Sequence, residues 1–128
     1  MNIYLDVNGV LLQHDLTPTV GVIDFLKRAL KDNDVYWLTS HCKGDVETVA
    51  AYLDRMLPVE AGELIRKIKP TNWDVLKTDG INFNKDFLWF DDNLFESEKI
   101  ILKNHNCESK FILVDLNNNP RQLLDRDF

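Results

Sequence analysis

Nowhere does this 128-residue chain approach the roughly 20 consecutive apolar residues that a membrane-crossing helix requires. The N-terminus runs straight into a strand-like segment without the basic and apolar regions of a signal peptide, so a cytoplasmic protein with no membrane partner is the expectation. Cysteine is scarce. Cys42 and Cys107 stand far apart, with no CxxC and no His/Cys ligand spacing, which excludes a disulfide framework and a structural zinc site. Both read as free thiols that serve packing. A basic excess is also missing: 15 Lys and Arg against 21 Asp and Glu give a formal net charge of −6, and the basic residues are scattered. Non-specific nucleic-acid binding, whose affinity comes mainly from neutralising phosphates, is therefore not expected. A nucleotide or a nucleic-acid end stays open as a partner, and some of the acidic excess could sit where a divalent cation neutralises it. Repeats, low-complexity tracts and linkers are absent too, so residues 1–128 read as one domain.

What the sequence does contain is four short apolar runs, Ile3 to Leu5, Val35 to Leu38, Phe87 to Phe90 and Phe111 to Val114. They are continuous rather than alternating, as for strands covered on both faces of a parallel sheet. Helical patterns lie between them. Thr17-Pro18 reads as an N-cap with Pro at the first helical position, followed by a stripe of Ile23, Leu26 and Leu30. Val46, Val49, Ala50, Leu53 and Leu57 repeat at helical spacing until Pro58. A third helix is expected from Phe95 to Asn104, and Asn119-Pro120 opens a last short one carrying Leu123 and Leu124. Between Val59 and Asp86 the pattern predicts helices around Gly62 to Ile68 and Asn72 to Asp79, bracketing Lys69-Pro70. Strand alternating with helix implies an open α/β sheet.

Polar residues follow each apolar run: Asp6 the first, Thr39 the second, Asp91-Asp92 the third, Asp115 the fourth. In a parallel sheet these positions share the carboxyl edge, where open α/β sheets bind ligands. Asp115, followed by Asn117, Asn118 and Asn119, fits turn formation better than chemistry. Asp6, Asp91 and Asp92 are different, because carboxylates gathered at one edge repel one another unless protons or a cation intervene. Mg²⁺ suits such hard oxygen ligands and keeps room for a phosphate oxygen. Trp37, Trp73 and Trp89 sit in or beside apolar runs and read as core, with Trp73 the most exposed of them.

In order, "YLDVNGVLL", "VYWLTS", the lysine of "WDVLKTDGI" and "FLWFDDN" resemble the four motifs of the haloacid dehalogenase (HAD) superfamily, over residues 3 to 93. A receiver domain also combines carboxylates, a hydroxyl residue and a lysine, but its acidic pair follows the first strand and its lysine comes last. Here the acidic pair comes last. The resemblance implies a three-layer Rossmann-like sheet with helices on both faces and Mg²⁺ as cofactor. It implies a phosphohydrolase whose nucleophile and metal ligand is Asp6, with the Asn8 backbone carbonyl and Asp91 completing the metal shell and Asp92 in support. Thr39, with Ser40 beside it, would bind a phosphoryl oxygen, and Lys77 would neutralise the nucleophile and the transferring group. Lys69, followed by Pro70, is the alternative lysine. Most phosphatases of the family carry a carboxylic acid where Asn8 stands, so slow turnover is implied, or a non-catalytic domain that binds phosphate or a phosphoprotein. His41 is a candidate substrate contact, more often the start of the next helix. His14 and Asp15 fall where the family has a hairpin flap. Only 26 residues separate Asn8 from Val35, which implies no cap domain and an open site. Its substrate would be a phosphorylated small molecule, nucleotide, nucleic-acid end or phosphoprotein, with an oligomer as one way of covering the site.

Overall fold

A computed structural model describes residues 1–128 apart from Cys42 and Gly44, so the reading of Cys42 lies outside the described residues. Four strands form one all-parallel sheet: β1 (Asn2–Leu5), β2 (Asp34–Trp37), β3 (Phe87–Asp91) and β4 (Phe111–Leu113), in the order β2-β1-β3-β4. The expected α/β class holds. Register is set through β1, where Leu5 lies opposite Trp37 on one side and Phe90 on the other. The helices are α1 (Val22–Lys31), α2 (Val46–Met56), α3 (Ala61–Ile65) and α4 (Glu96–Asn104). Among the described residues no helix is long and apolar enough to cross a membrane.

Successive strand residues point to opposite faces, and the core divides accordingly. Ile3, Leu5, Trp37 and Phe90 join a cluster with Phe25 of α1, Leu53 of α2 and Ile65 of α3. Tyr4, Phe87 and Trp89 join a second, with Leu102 of α4 and Ile81. Continuous apolar runs are the result, since each face of a central strand meets apolar neighbours. Trp37 and Trp89 are core, as expected from their runs.

Three helix expectations need correction. First, α1 begins at Val22 behind Gly21, whose φ of 74° suits a residue without Cβ, and not at Thr17-Pro18. Those residues are used elsewhere: Thr17 O accepts from Gln13 N at 2.8 Å, the Thr17 hydroxyl donates to Asp15 Oδ1 at 2.6 Å, and Leu12 pairs antiparallel with Pro18. Residues 10–19 therefore close into a small hairpin carrying His14 and Asp15.

Second, Asn72 to Asp79 is not a helix; only a 3₁₀ turn, Lys77–Gly80, forms there. Its neighbours and side chains are drawn to distant partners. Thr71 Oγ1 donates to Trp37 O at 2.6 Å, Lys43 Nζ to Asp74 O at 2.9 Å, and Lys77 N to the Glu98 carboxylate at 3.0 Å. Third, residues after Asn119 make successive turns with i to i+3 bonds. Arg28 takes the carbonyls of Leu123 and Arg126 at 2.9 and 3.0 Å, so the segment is tied to α1 instead of winding into a helix.

On the free side of β2, Lys69 runs alongside the strand: its amide donates to Val35 O at 2.9 Å and its carbonyl accepts from Trp37 N at 2.8 Å. Within the sheet, the chain leaves β1 for β2 in one direction and β3 for β4 in the other. The diverging connections open a crevice between the carboxyl ends of β1 and β3.

Candidate functional site

Asp6 follows β1 directly and Asp91 is the last residue of β3, so the two carboxylates flank that crevice. The Asp6 amide donates to Phe90 O at 3.1 Å, prolonging the ladder by one residue and fixing Asp6 against β3. Its Oδ1 accepts from Val7 N at 2.8 Å, while Oδ2 lies 3.6 Å from Lys77 Nζ. Lys77 Nζ donates to Asp91 Oδ2 at 2.7 Å, and Asp91 Oδ1 accepts from Asn93 N at 3.2 Å. One ammonium thus bridges two buried carboxylates.

Asp92 completes a group in which one oxygen from each of Asp6, Asp91 and Asp92 lies within 4.8 Å of the others. Gly9 makes this approach feasible: its φ is 85°, and a Cβ there would run into the Asp92 carboxylate. His14, from the hairpin, stands 4.0 Å from the same carboxylate. Burial, together with the Asp6 charge, pushes the Asp91 carboxyl up to about 8 against the opposing pull of Lys77. Burial would lower the Lys77 ammonium, but the charges of Asp6 and Asp91 outweigh it and hold Lys77 above its ordinary value. Three carboxylate oxygens gathered this closely, with one ammonium beside them, form the donor set of a hard divalent ion.

A cavity of about 240 Å³ opens beside these groups, lined on its polar side by Asp6, Ser40, Lys77, Asp91, Asp92 and Glu98. Thr39 is buried, its hydroxyl accepting from His41 N at 3.3 Å. The Asn8 amide turns to His41, with Nδ2 3.0 Å from Nε2, and His41 stacks on Tyr52 with centroids 4.8 Å apart. Asn8 Oδ1 is buried without a hydrogen-bond partner, and turning the amide over would let it accept from a protonated Nε2. Lys69 is absent from this group. It pairs with Asp34 at the start of β2, Nζ to Oδ1 2.8 Å, on the opposite edge of the sheet. Asp115 is occupied in its own turn, accepting from Asn118 Nδ2 at 2.7 Å.

Sequence reasoning missed Glu98. This buried carboxylate accepts from Lys77 N at 3.0 Å and from Phe95 N at 3.1 Å, joining the lysine's backbone to the start of α4. A signal existed, since Glu98 lies three residues after Phe95 in a helix's first turn and four before buried Leu102, hence on the inward face. Comparison with protein-family models, curated proteins and solved structures finds no significant match, so the chemistry must be read from these residues.

Proposed function

We propose that the chain is a Mg²⁺-dependent phosphohydrolase that works through an aspartyl-phosphate on Asp6. The observation that carries this reading is Lys77 bridging Asp6 and Asp91 at the crevice, with Asp92 close enough to share a cation. Three carboxylates against one ammonium fit Mg²⁺, which Asp6, Asp91 and the Asn8 carbonyl would hold with Asp92 in support. When bound, Mg²⁺ would neutralise charge on the phosphoryl group. The same reading takes the fold as a three-layer Rossmann-like sheet without a cap domain, and the soluble chain as cytoplasmic.

The chain's own residues divide the work. The Val7 amide fixes the Asp6 carboxylate so that an oxygen attacks phosphorus in line with the leaving group. As the Asp6–phosphorus bond forms, the bond to the leaving oxygen breaks. Lys77 offsets the charge shared by nucleophile and phosphoryl group, and Thr39 and Ser40 supply hydroxyls to phosphoryl oxygens. Water then attacks phosphorus as its bond to the Asp6 oxygen breaks, losing a proton to solvent, so that phosphate is released and the Asp6 carboxylate restored. Asn8 has no acidic proton to give the leaving oxygen, which takes its proton from solvent water. General acid catalysis is worth about 10² to 10⁴-fold, so alkyl esters should turn over slowly and aryl esters less so.

Replacing Asp6 by Asn or Ala should abolish Mg²⁺-dependent phosphate release from an aryl phosphate; activity that survives sinks the mechanism. The engagement of the Asn8 amide by His41 favours a second reading, a phosphate- or phosphoprotein-binding domain without turnover. Asn8→Asp separates the two. A rise in alkyl-ester hydrolysis supports an enzyme lacking its acid, whereas no turnover and no beryllofluoride adduct in either protein supports the binding domain.

A further inference from the structure

The cavity beside Asp6 has a second wall that a phosphoryl group does not use. Trp73, Val75 and Phe95 line it, and Val75 is 75% and Phe95 56% exposed. A phosphate presents only oxygens, so apolar side chains facing the same cavity call for an apolar part of the ligand. The wall is anchored at both ends. Lys43 Nζ lies 4.5 Å above the centroid of Trp73 and donates to Asp74 O at 2.9 Å, bracing one side of the indole. Phe95 is held through Glu98, whose two carboxylate oxygens take the amides of Phe95 and Lys77. The backbones of Phe95 and Lys77 therefore hang from one clamp, and both side chains line the same cavity.

The geometry points to an aromatic subsite, formed by Trp73 and Phe95, that takes the planar base of a nucleoside monophosphate whose phosphoryl group lies at Asp6 and Lys77. This rests on the phosphohydrolase reading and adds the substrate class to it. Aromatic side chains bind any base through its π-face. The net charge of −6 favours a ligand with one phosphoryl group over a long polyanion.

The test uses tryptophan emission. Trp37 and Trp89 are 1% and 0% exposed, so a base stacking in the cavity is reported by Trp73. With Mg²⁺ present, Asp6→Asn protein should bind adenosine 5′-monophosphate about tenfold more tightly than ribose 5-phosphate, the lower range of what base stacking supplies. Quenching should accompany the nucleotide and disappear in Trp73→Phe. Phe95→Leu, which stays apolar but loses the ring, should reduce the nucleotide-to-sugar-phosphate ratio several-fold. Equal binding of the two esters, or a ratio unchanged in Phe95→Leu, overturns the subsite. A 5′-phosphorylated trinucleotide that binds more tightly than the mononucleotide overturns the assignment to a free nucleotide. Phosphate release by the wild type separates this proposal from the one beneath it. Equal, Asp6-dependent use of both esters removes the subsite alone, whereas nucleotide-selective binding without any release removes the phosphohydrolase and leaves the subsite.

Discussion

Two lysine–aspartate pairs in this protein have nearly the same length and opposite surroundings. Lys69 meets Asp34 at 2.8 Å with both side chains about half exposed, at 53% and 54%. Lys77 meets Asp91 at 2.7 Å with side-chain exposures of 18% and 2%. Water screens the first pair, which lowers Asp34 and raises Lys69 through their shared hydrogen bond without much consequence for folding. The second pair lost its hydration on folding, and the attraction between its members does not guarantee recovery of that cost. Separation alone therefore says little. The buried pair, beside two further carboxylates, carries a desolvation cost that the surface pair does not.

The comparison breaks most decisively at the lysines. Lys77→Met should lower phosphate release from an aryl phosphate by about 10² to 10³-fold, the usual loss when one charge-stabilising group is removed from an active site. Lys69→Met should leave that rate as in the wild type, and steady-state kinetics on the two variants would reverse the comparison if the losses came out the other way round. Stability comes next. Glu98→Ala leaves the amides of Lys77 and Phe95 without their acceptor, and each buried unpaired group costs about 1 to 3 kcal/mol. Urea unfolding should therefore show a loss of roughly 2 to 4 kcal/mol after partial rehydration, where Asp34→Ala shows almost none.

Proton linkage gives a smaller effect with a definite sign. Asp91 stands near 8 folded against 3.8 as its reference, so between those values the folded state binds more protons than the unfolded one. Its contribution is complete below about pH 4 and is lost as pH rises toward about 8. Without metal, thermal stability should decline across that window. Mg²⁺ must displace the proton, so its stabilising shift in Tm should be larger at pH 8 than at pH 6, and an equal shift at both would argue against Asp91 as a ligand. The smallest effect belongs to the exposed pair. Added salt should leave the stability difference between Lys69→Met and the wild type close to zero.

Strands were legible because a central parallel strand writes itself as an unbroken apolar run, and each run lies within a residue or two of its strand. Position at the carboxyl edge follows from that, which is why the sequence alone groups Asp6, Asp91 and Asp92, one carboxylate oxygen of each lying within 4.8 Å of the others. The choice between Lys69 and Lys77 was open in the sequence, since both lie between the second and third runs. Only the path of the chain puts one at each edge of the sheet. Helix starts failed where side chains had better partners: Thr17 turned to Asp15, and Lys77 gave its amide to Glu98 across 21 positions. Such bonds between distant residues leave no periodic trace. Nor does a wall assembled from Trp73 in a loop and Phe95 before a helix.

Lys69 has one more consequence, through its backbone and not its ammonium. A parallel sheet's outer strand offers unpaired amides and carbonyls to any other chain in extended form. By bonding Val35 and Trp37, Lys69 occupies the middle of that margin on β2, and Pro70, the next residue, has no amide to continue the pairing. The Lys69-Pro70 step thus guards the protein against edge-to-edge aggregation, a service to solubility in a dipeptide whose charge contributes little to the fold.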